Sequence, residues 1–255
     1  MTERQTDYTI MEGYELPSKG KIYEANVNPH VELRSMSARD EMKRLSPSST
    51  PLKTLADIIE DCCIEKPAIH VYDMSLGDYE FLLHKLRTVT YGEDYKVALR
   101  CSECGEMIEA IAKLDQLNVK EFDEEKIHEL QTFQLPVSGR TITLNFLTPR
   151  ITEEMEVKAK EMKRKYKGAT IDFDTLVRIL CNIDLVDGEK KNEHELENII
   201  TGLPAKDMQK ILNNIDKLNQ QIGLDNILYL TCPKCGEEVT TFFRFGPEFF
   251  RPSTI

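Results

Sequence analysis

Two short segments, CSECGE beginning at Cys101 and CPKCGE beginning at Cys232, repeat one pattern: two cysteines separated by two residues, then glycine and glutamate. A C-x-x-C turn aims two thiolates the same way. The small residue that follows, Gly105 or Gly236, lets backbone amides approach the sulfurs. One such knuckle supplies two ligands, whereas a structural zinc takes four, arranged tetrahedrally at about 2.3 Å. Two knuckles complete the set and leave no open position for water. Cys101, Cys104, Cys232 and Cys235 are therefore the candidate ligands of one structural zinc per chain. A redox-active pair would instead sit at a helix start after a strand. The separation is wide, since the two halves of a ribbon usually lie about 15 to 20 residues apart. Either a long insertion divides one intrachain site, or half-sites are shared between subunits. The intrachain site is the expectation, because each hairpin exposes an edge that the other can cover.

The bulk properties exclude several classes of function. The net charge of −11 argues against binding nucleic acid by phosphate neutralisation. The densest basic run, KEMKRKYK around Arg164, reads as a solvated helix face. No stretch approaches the roughly 20 apolar residues of a membrane helix. The segment MTERQTDYTI lacks the apolar core of a signal peptide, so synthesis and residence in a reducing cytoplasm are expected. In that compartment seven cysteines are metal ligands and core residues rather than disulfides. Cys62, Cys63 and Cys181 fall in helical apolar patterns.

The 255 residues suffice for two modest domains or one elaborated domain. Residues 1–35 read as an extended N-terminal arm punctuated by Pro17 and Gly20. Residues 36–92 read as a helical subdomain. Ser37 caps its first helix, Leu55, Ile58, Ile59 and Cys62 line its second, and Ser75 with Asp78 caps its third, which ends at Gly92. The period then changes to two. DYKVALR alternates into Cys101 and EMIEAIA out of Cys104, while NILYLT and EEVTTFFRF do the same around Cys232 and Cys235. Residues 93–112 and 226–245 are thus the zinc-ribbon hairpins. Residues 113–225 form an insertion with its own hairpin, turning at Ser138-Gly139, and several helices, one starting from Thr152 and one from Asp172. Residues 246–255 are an aromatic C-terminal tail. Phe242, Phe243, Phe245, Phe249 and Phe250 are too many apolar rings for a free terminus, and suit either an interface or the chain's own core. The expected fold is mixed α/β (α+β): a helical subdomain plus a four-cysteine ribbon built from two distant β-hairpin knuckles.

No catalytic constellation stands out. The five histidines show no metal-ligand spacing, and His84 reads as helix surface or core edge. No phosphate loop, dinucleotide fingerprint or nucleophile elbow is present. The pairs Glu124-Glu125 and Glu153-Glu154 lie at helix starts, where acids complement the dipole.

Longer stretches are similar to a known family. ELPSKGKIYE lies early, LGDYEFLLHKLRTVTYGEDYKV runs directly into CSECG, LPAKDMQKILNNI lies late, and the last knuckle is followed by FFRFGPEFFRPS. In this order the chain resembles the baseplate hub protein family of T-even-type, contractile-tailed bacteriophages. The resemblance implies a non-enzymatic protein, made in the host cytoplasm, that forms or helps to build the centre of a virion tail baseplate. Its implied partners are other baseplate, hub or tape-measure proteins, with no nucleic acid, membrane or small-molecule substrate. The zinc expectation rests on this sequence's own cysteines. Three functions stay open: a structural subunit, an assembly chaperone that leaves, and a zinc-ribbon regulator of a host machine.

Overall fold

The computed structural model describes residues 9–168, 170–243 and 247–250. In chain order the elements are β1 (Met11–Glu15), β2 (His30–Arg34), α1 (Ala38–Leu45), α2 (Pro51–Cys62), α3 (Leu76–Tyr91), β3 (Asp94–Arg100), β4 (Met107–Lys113), α4 (Glu124–Gln131), β5 (Thr132–Gln134) and β6 (Thr141–Leu144). There follow α5 (Pro149–Lys165), α6 (Phe173–Asn182), β7 (Ile183–Val186), α7 (Glu193–Thr201), α8 (Ala205–Asn219), β8 (Ile227–Thr231) and β9 (Glu238–Phe242). The chain is mixed α/β with small antiparallel sheets. It divides into two compact units. The first comprises the described residues of Met1–Val71, Glu80–Lys120 and Gly223–Ile255, and the second Tyr72–Tyr79 and Glu121–Ile222.

In the first unit, the stretch read as an extended arm is instead a hairpin. β1 pairs with β2 from Met11↔Arg34 to Glu15↔His30, and Ile64 N–H donates to Glu32 O beyond it. Residues 1–8 lie outside the described residues. The connecting loop closes where Leu16 N–H donates to Pro29 O at 2.8 Å, and it buries Leu16, Ser18 and Val27. Gly20 adopts φ +70°, and a Cβ there would lie 2.4 Å from the Val27 carbonyl oxygen. Both strain and clash oppose a side chain, so Gly20→Ala is expected to cost about 2–4 kcal/mol. Gly139 shares the positive φ but its Cβ would meet nothing nearer than 3.9 Å. Gly139→Ala should therefore cost about 1 kcal/mol, and paired melting curves measure the difference.

α1 and α3 start where the sequence indicates, after Ser37 and Ser75. Ser37 and Asp40 form a reciprocal capping box, and Arg34 Nη1 donates to Asp40 Oδ2 at 2.8 Å, tying β2 to α1. Leu55, Ala56, Ile58, Ile59 and Cys62 form the buried face of α2. The part of α3 within this unit buries Phe81, Leu82, Leu83, Leu86 and Val89. His84, read as surface or core edge, is completely buried, with Nε2 3.0 Å from Leu114 O. Burial also pushes the Glu80 carboxyl up to about 7. A raised carboxyl pKa stabilises the fold below the unfolded value and loses that contribution as pH rises through the folded one. Glu80→Gln is therefore expected to match the parent near pH 4.5 and to exceed it by about 3 kcal/mol above pH 7. Urea titrations of both proteins across that range measure the difference.

The aromatic tail answers the question its sequence left open. Phe243, Phe249 and Phe250 are buried in the first unit, with Phe249 stacked near His84 and tilted against Tyr95. Phe242 is exposed, and Phe245 lies outside the described residues. Arg87 organises this corner. It is 1% exposed and donates to three carbonyls: Nε to Phe249 at 3.2 Å, Nη1 to Gly92 at 2.7 Å and Nη2 to Asp94 at 3.0 Å.

The second unit carries a three-stranded sheet, β5-β6-β7, with α4–α8. Its hairpin turn is fixed by the buried Asp207, whose carboxylate accepts from Val137 N–H and Ser138 N–H at 2.9 and 2.8 Å. α5 starts at Pro149 rather than at Thr152, because Thr148 caps it and Pro149 presets the first helical φ. α6 starts as read, capped by Asp172. The apolar run FDTLVRILCNIDLV suggests one continuous helix, yet the helix stops at Asn182. Residues 183–186 become β7, pairing with β6 through Ile142↔Val186.

Candidate metal centre

Both knuckles are built by the same backbone geometry. Gly105 and Gly236 sit at φ +70° and +76°, a region that favours glycine. In the first, Gly105 N–H donates to Cys101 O at 3.0 Å and Cys101 N–H to Glu106 O at 2.8 Å. In the second, Gly236 N–H donates to Cys232 O at 2.9 Å and Cys232 N–H to Glu237 O at 2.8 Å. The hairpins β3-β4 and β8-β9 carry these turns at their tips, with registers Arg100↔Met107 and Thr231↔Glu238 next to them. The chain's exit towards the second unit and its return are pinned together: Lys120 N–H donates to Gly223 O at 2.9 Å, and Asp225 N–H to Asn118 O at 2.8 Å. The wide sequence separation is thereby closed within one unit.

All four sulfurs lie within 4.8 Å of one another, and among the described residues they form the one such cluster of potential metal ligands. Cys101 and Cys235 Sγ are 3.7 Å apart, and Cys104 and Cys232 Sγ 3.6 Å. Four sulfurs held about 2.3 Å from one ion mark a tetrahedron with edges of about 3.8 Å. The observed spacing fits that set and is far longer than a disulfide bond of about 2.05 Å. Cys101 and Cys232 are buried with Ile108 and Val239, Cys104 is half-buried, and Cys235 is exposed.

The electrostatics suit thiolates that a cation holds together. N–H groups of Cys235 and Lys234 donate to the Cys232 sulfur and draw its pKa down to about 7. At Cys235 the Glu237 N–H favours the thiolate, but desolvation and the three neighbouring sulfurs outweigh it and push the pKa up to about 12. The cluster thus resists holding four negative charges by itself, and a bound dication would relieve the repulsion. Lys234 Nζ reaches Glu106 Oε2 at 2.8 Å and joins one knuckle to the other. This pair was not anticipated. The signal was present: where the first hexapeptide has Ser102-Glu103, the second has Pro233-Lys234. The remaining cysteines lie elsewhere. Burial pushes the Cys62 and Cys63 thiols each up to about 12, and raises that of Cys181.

A family model described as T4 bacteriophage base plate protein matches residues 9–251. The chain belongs to that family. No curated protein and no solved structure matches it. The match covers both knuckles and the whole segment between them, so the divided ribbon lies within the family's extent. Membership makes this a T4-type phage baseplate protein, a component of the virion tail that works among other baseplate proteins. Among the described residues, no helix is long and apolar enough to cross a membrane.

Proposed function

We propose that this protein is a non-enzymatic structural subunit of the hub region of the tail baseplate, made in the host cytoplasm. One structural zinc per chain, bound by Cys101, Cys104, Cys232 and Cys235, clamps its two hairpins together. The observation that carries the metal reading is the convergence of four sulfurs from a single chain to within 4.8 Å of one another. Four protein ligands fill a zinc site, which suits structure rather than catalysis. The zinc supplies a cross-link between β3-β4 and β8-β9; the knuckle amides orient the thiolates, and Lys234 and Glu106 brace the two turns. The baseplate family supports the structural role, and hub and tape-measure proteins are the neighbours proposed.

A regulator would be expected to carry its ribbon as a separable module. Here the hairpins share one compact unit with α1, α2 and most of α3, which favours the structural subunit. Quantitative mass spectrometry of purified particles tests the reading. A few copies per particle, in fixed ratio to the hub proteins, is the expected result. Presence in tail precursors but absence from particles would make the protein an assembly chaperone. Absence from both would favour the host-directed regulator.

A further inference from the structure

The four sulfurs differ in access and in pairing. Cys235 is exposed, whereas Cys101 and Cys232 are buried. An oxidant from solvent therefore meets Cys235 first. All four sulfurs lie within 4.8 Å of one another, and two contacts that run between the knuckles, Cys101–Cys235 at 3.7 Å and Cys104–Cys232 at 3.6 Å, are short enough for bond formation after a small shift. The other cysteines are poorer targets, because Cys62 and Cys63 are buried and Cys181 is only partly accessible.

We propose that the centre is a peroxide-reactive site that exchanges its metal for disulfides between the hairpins, Cys101–Cys235 first and Cys104–Cys232 second. The proposal rests on the four-thiolate metal reading and adds its response to oxidants. The Cys235 thiolate attacks hydrogen peroxide, breaking the O–O bond to give a sulfenic acid and hydroxide. The Cys101 thiolate, 3.7 Å away, attacks that sulfur, forms the S–S bond and expels the second hydroxide. Two thiolates lose two electrons, and one peroxide becomes two waters once protons are taken up. The ion, left with two ligands, departs, and Cys104 and Cys232 face each other for a second equivalent of peroxide. Because both bonds join one hairpin to the other, the clamp outlasts its metal. A baseplate protein would thereby keep its fold in a particle that leaves a reducing cell for an oxidising medium.

The test treats zinc-loaded full-length protein with hydrogen peroxide. Zinc release is followed with a chromogenic chelator, and disulfides are mapped by mass spectrometry of unreduced peptides. About one zinc per chain should leave as the Cys101–Cys235 link appears, with the far-ultraviolet spectrum retained. Cys235→Ser, if it folds, should slow release about tenfold; if it does not fold, the parent's disulfide map alone decides. Links within a knuckle, Cys101–Cys104 or Cys232–Cys235, would overturn the proposal. So would zinc retained under peroxide that oxidises the exposed Met107. Protein that holds no metal before peroxide is added would instead overturn the zinc reading and, with it, the release step.

Discussion

Stripping the metal with a strong chelator is expected to unfold the first unit and leave the second folded. Structural zinc contributes an apparent 10–16 kcal/mol or so in small zinc domains. A whole domain is stable by only about 5–15 kcal/mol, so losing the site removes most of what holds the first unit. The second unit has its own core, with Ile142, Leu144, Ile211, Ile215 and Leu218 buried, and it contains none of the four ligands. Chelation should therefore abolish the β3-β4 and β8-β9 signals while the helices between residues 121 and 222 persist as a protease-resistant fragment. Cys232→Ser should reproduce this and yield insoluble protein. Acid should act in the same direction, since each thiolate must release a proton to bind metal and affinity falls as pH falls. Elemental analysis giving one zinc per chain, with circular dichroism before and after chelation, makes the measurement. A soluble Cys232→Ser protein with an unchanged melting curve would sink the structural-metal reading.

The second large effect is expected at Arg87. Its guanidinium is buried, and its charge is met by the carbonyls of Phe249, Gly92 and Asp94, by the rings of Tyr95 and Phe249, whose centroids lie 5.1 and 5.6 Å from Cζ, and electrostatically by the Asp94 carboxylate. Burial lowers its pKa from the usual value, yet three donors aimed at three fixed acceptors hold it in place. Arg87→Met fills much of the volume but strands the buried Phe249 carbonyl, worth about 1–3 kcal/mol when left unsatisfied, and removes the partners of the partly buried carbonyls of Gly92 and Asp94. A loss of about 2–4 kcal/mol is expected. Arg87→Lys should recover little of it, because one ammonium on a flexible stem cannot span the fork. Urea titrations of both variants provide the test; an Arg87→Met midpoint equal to the parent's would refute the assignment.

What could be read from the sequence was local. Each knuckle announces itself in six residues, and Ser37, Ser75 and Asp172 mark helix starts because a cap acts within three positions of itself. The features that escaped depend on distant partners. β1 and β2 pair across a loop closed by the positive-φ Lys19 and Gly20, with no two-residue turn to betray a hairpin. β7 continues the apolar run of α6, and only its pairing with β6 makes it a strand. Nothing near Arg87 in the sequence indicates Phe249, its partner 162 positions away. His84 shows the same limit: a polar residue on a helix looks exposed until the carbonyl of Leu114 covers it.

The divided ribbon also sets a clock on biosynthesis. Cys232 follows Cys104 by 128 positions. At the usual pace of about 5–20 residues per second, the first knuckle waits roughly 6–25 s for its other half. During that interval it offers two thiolates, an incomplete set for zinc, while the intervening unit emerges in full and can fold on its own core. On the proposed zinc reading, metal capture is then among the last events in the life of the nascent chain. A chain that ends before Cys232 would carry a finished insert and only half of the proposed clamp, and so would lack the means to close the first unit.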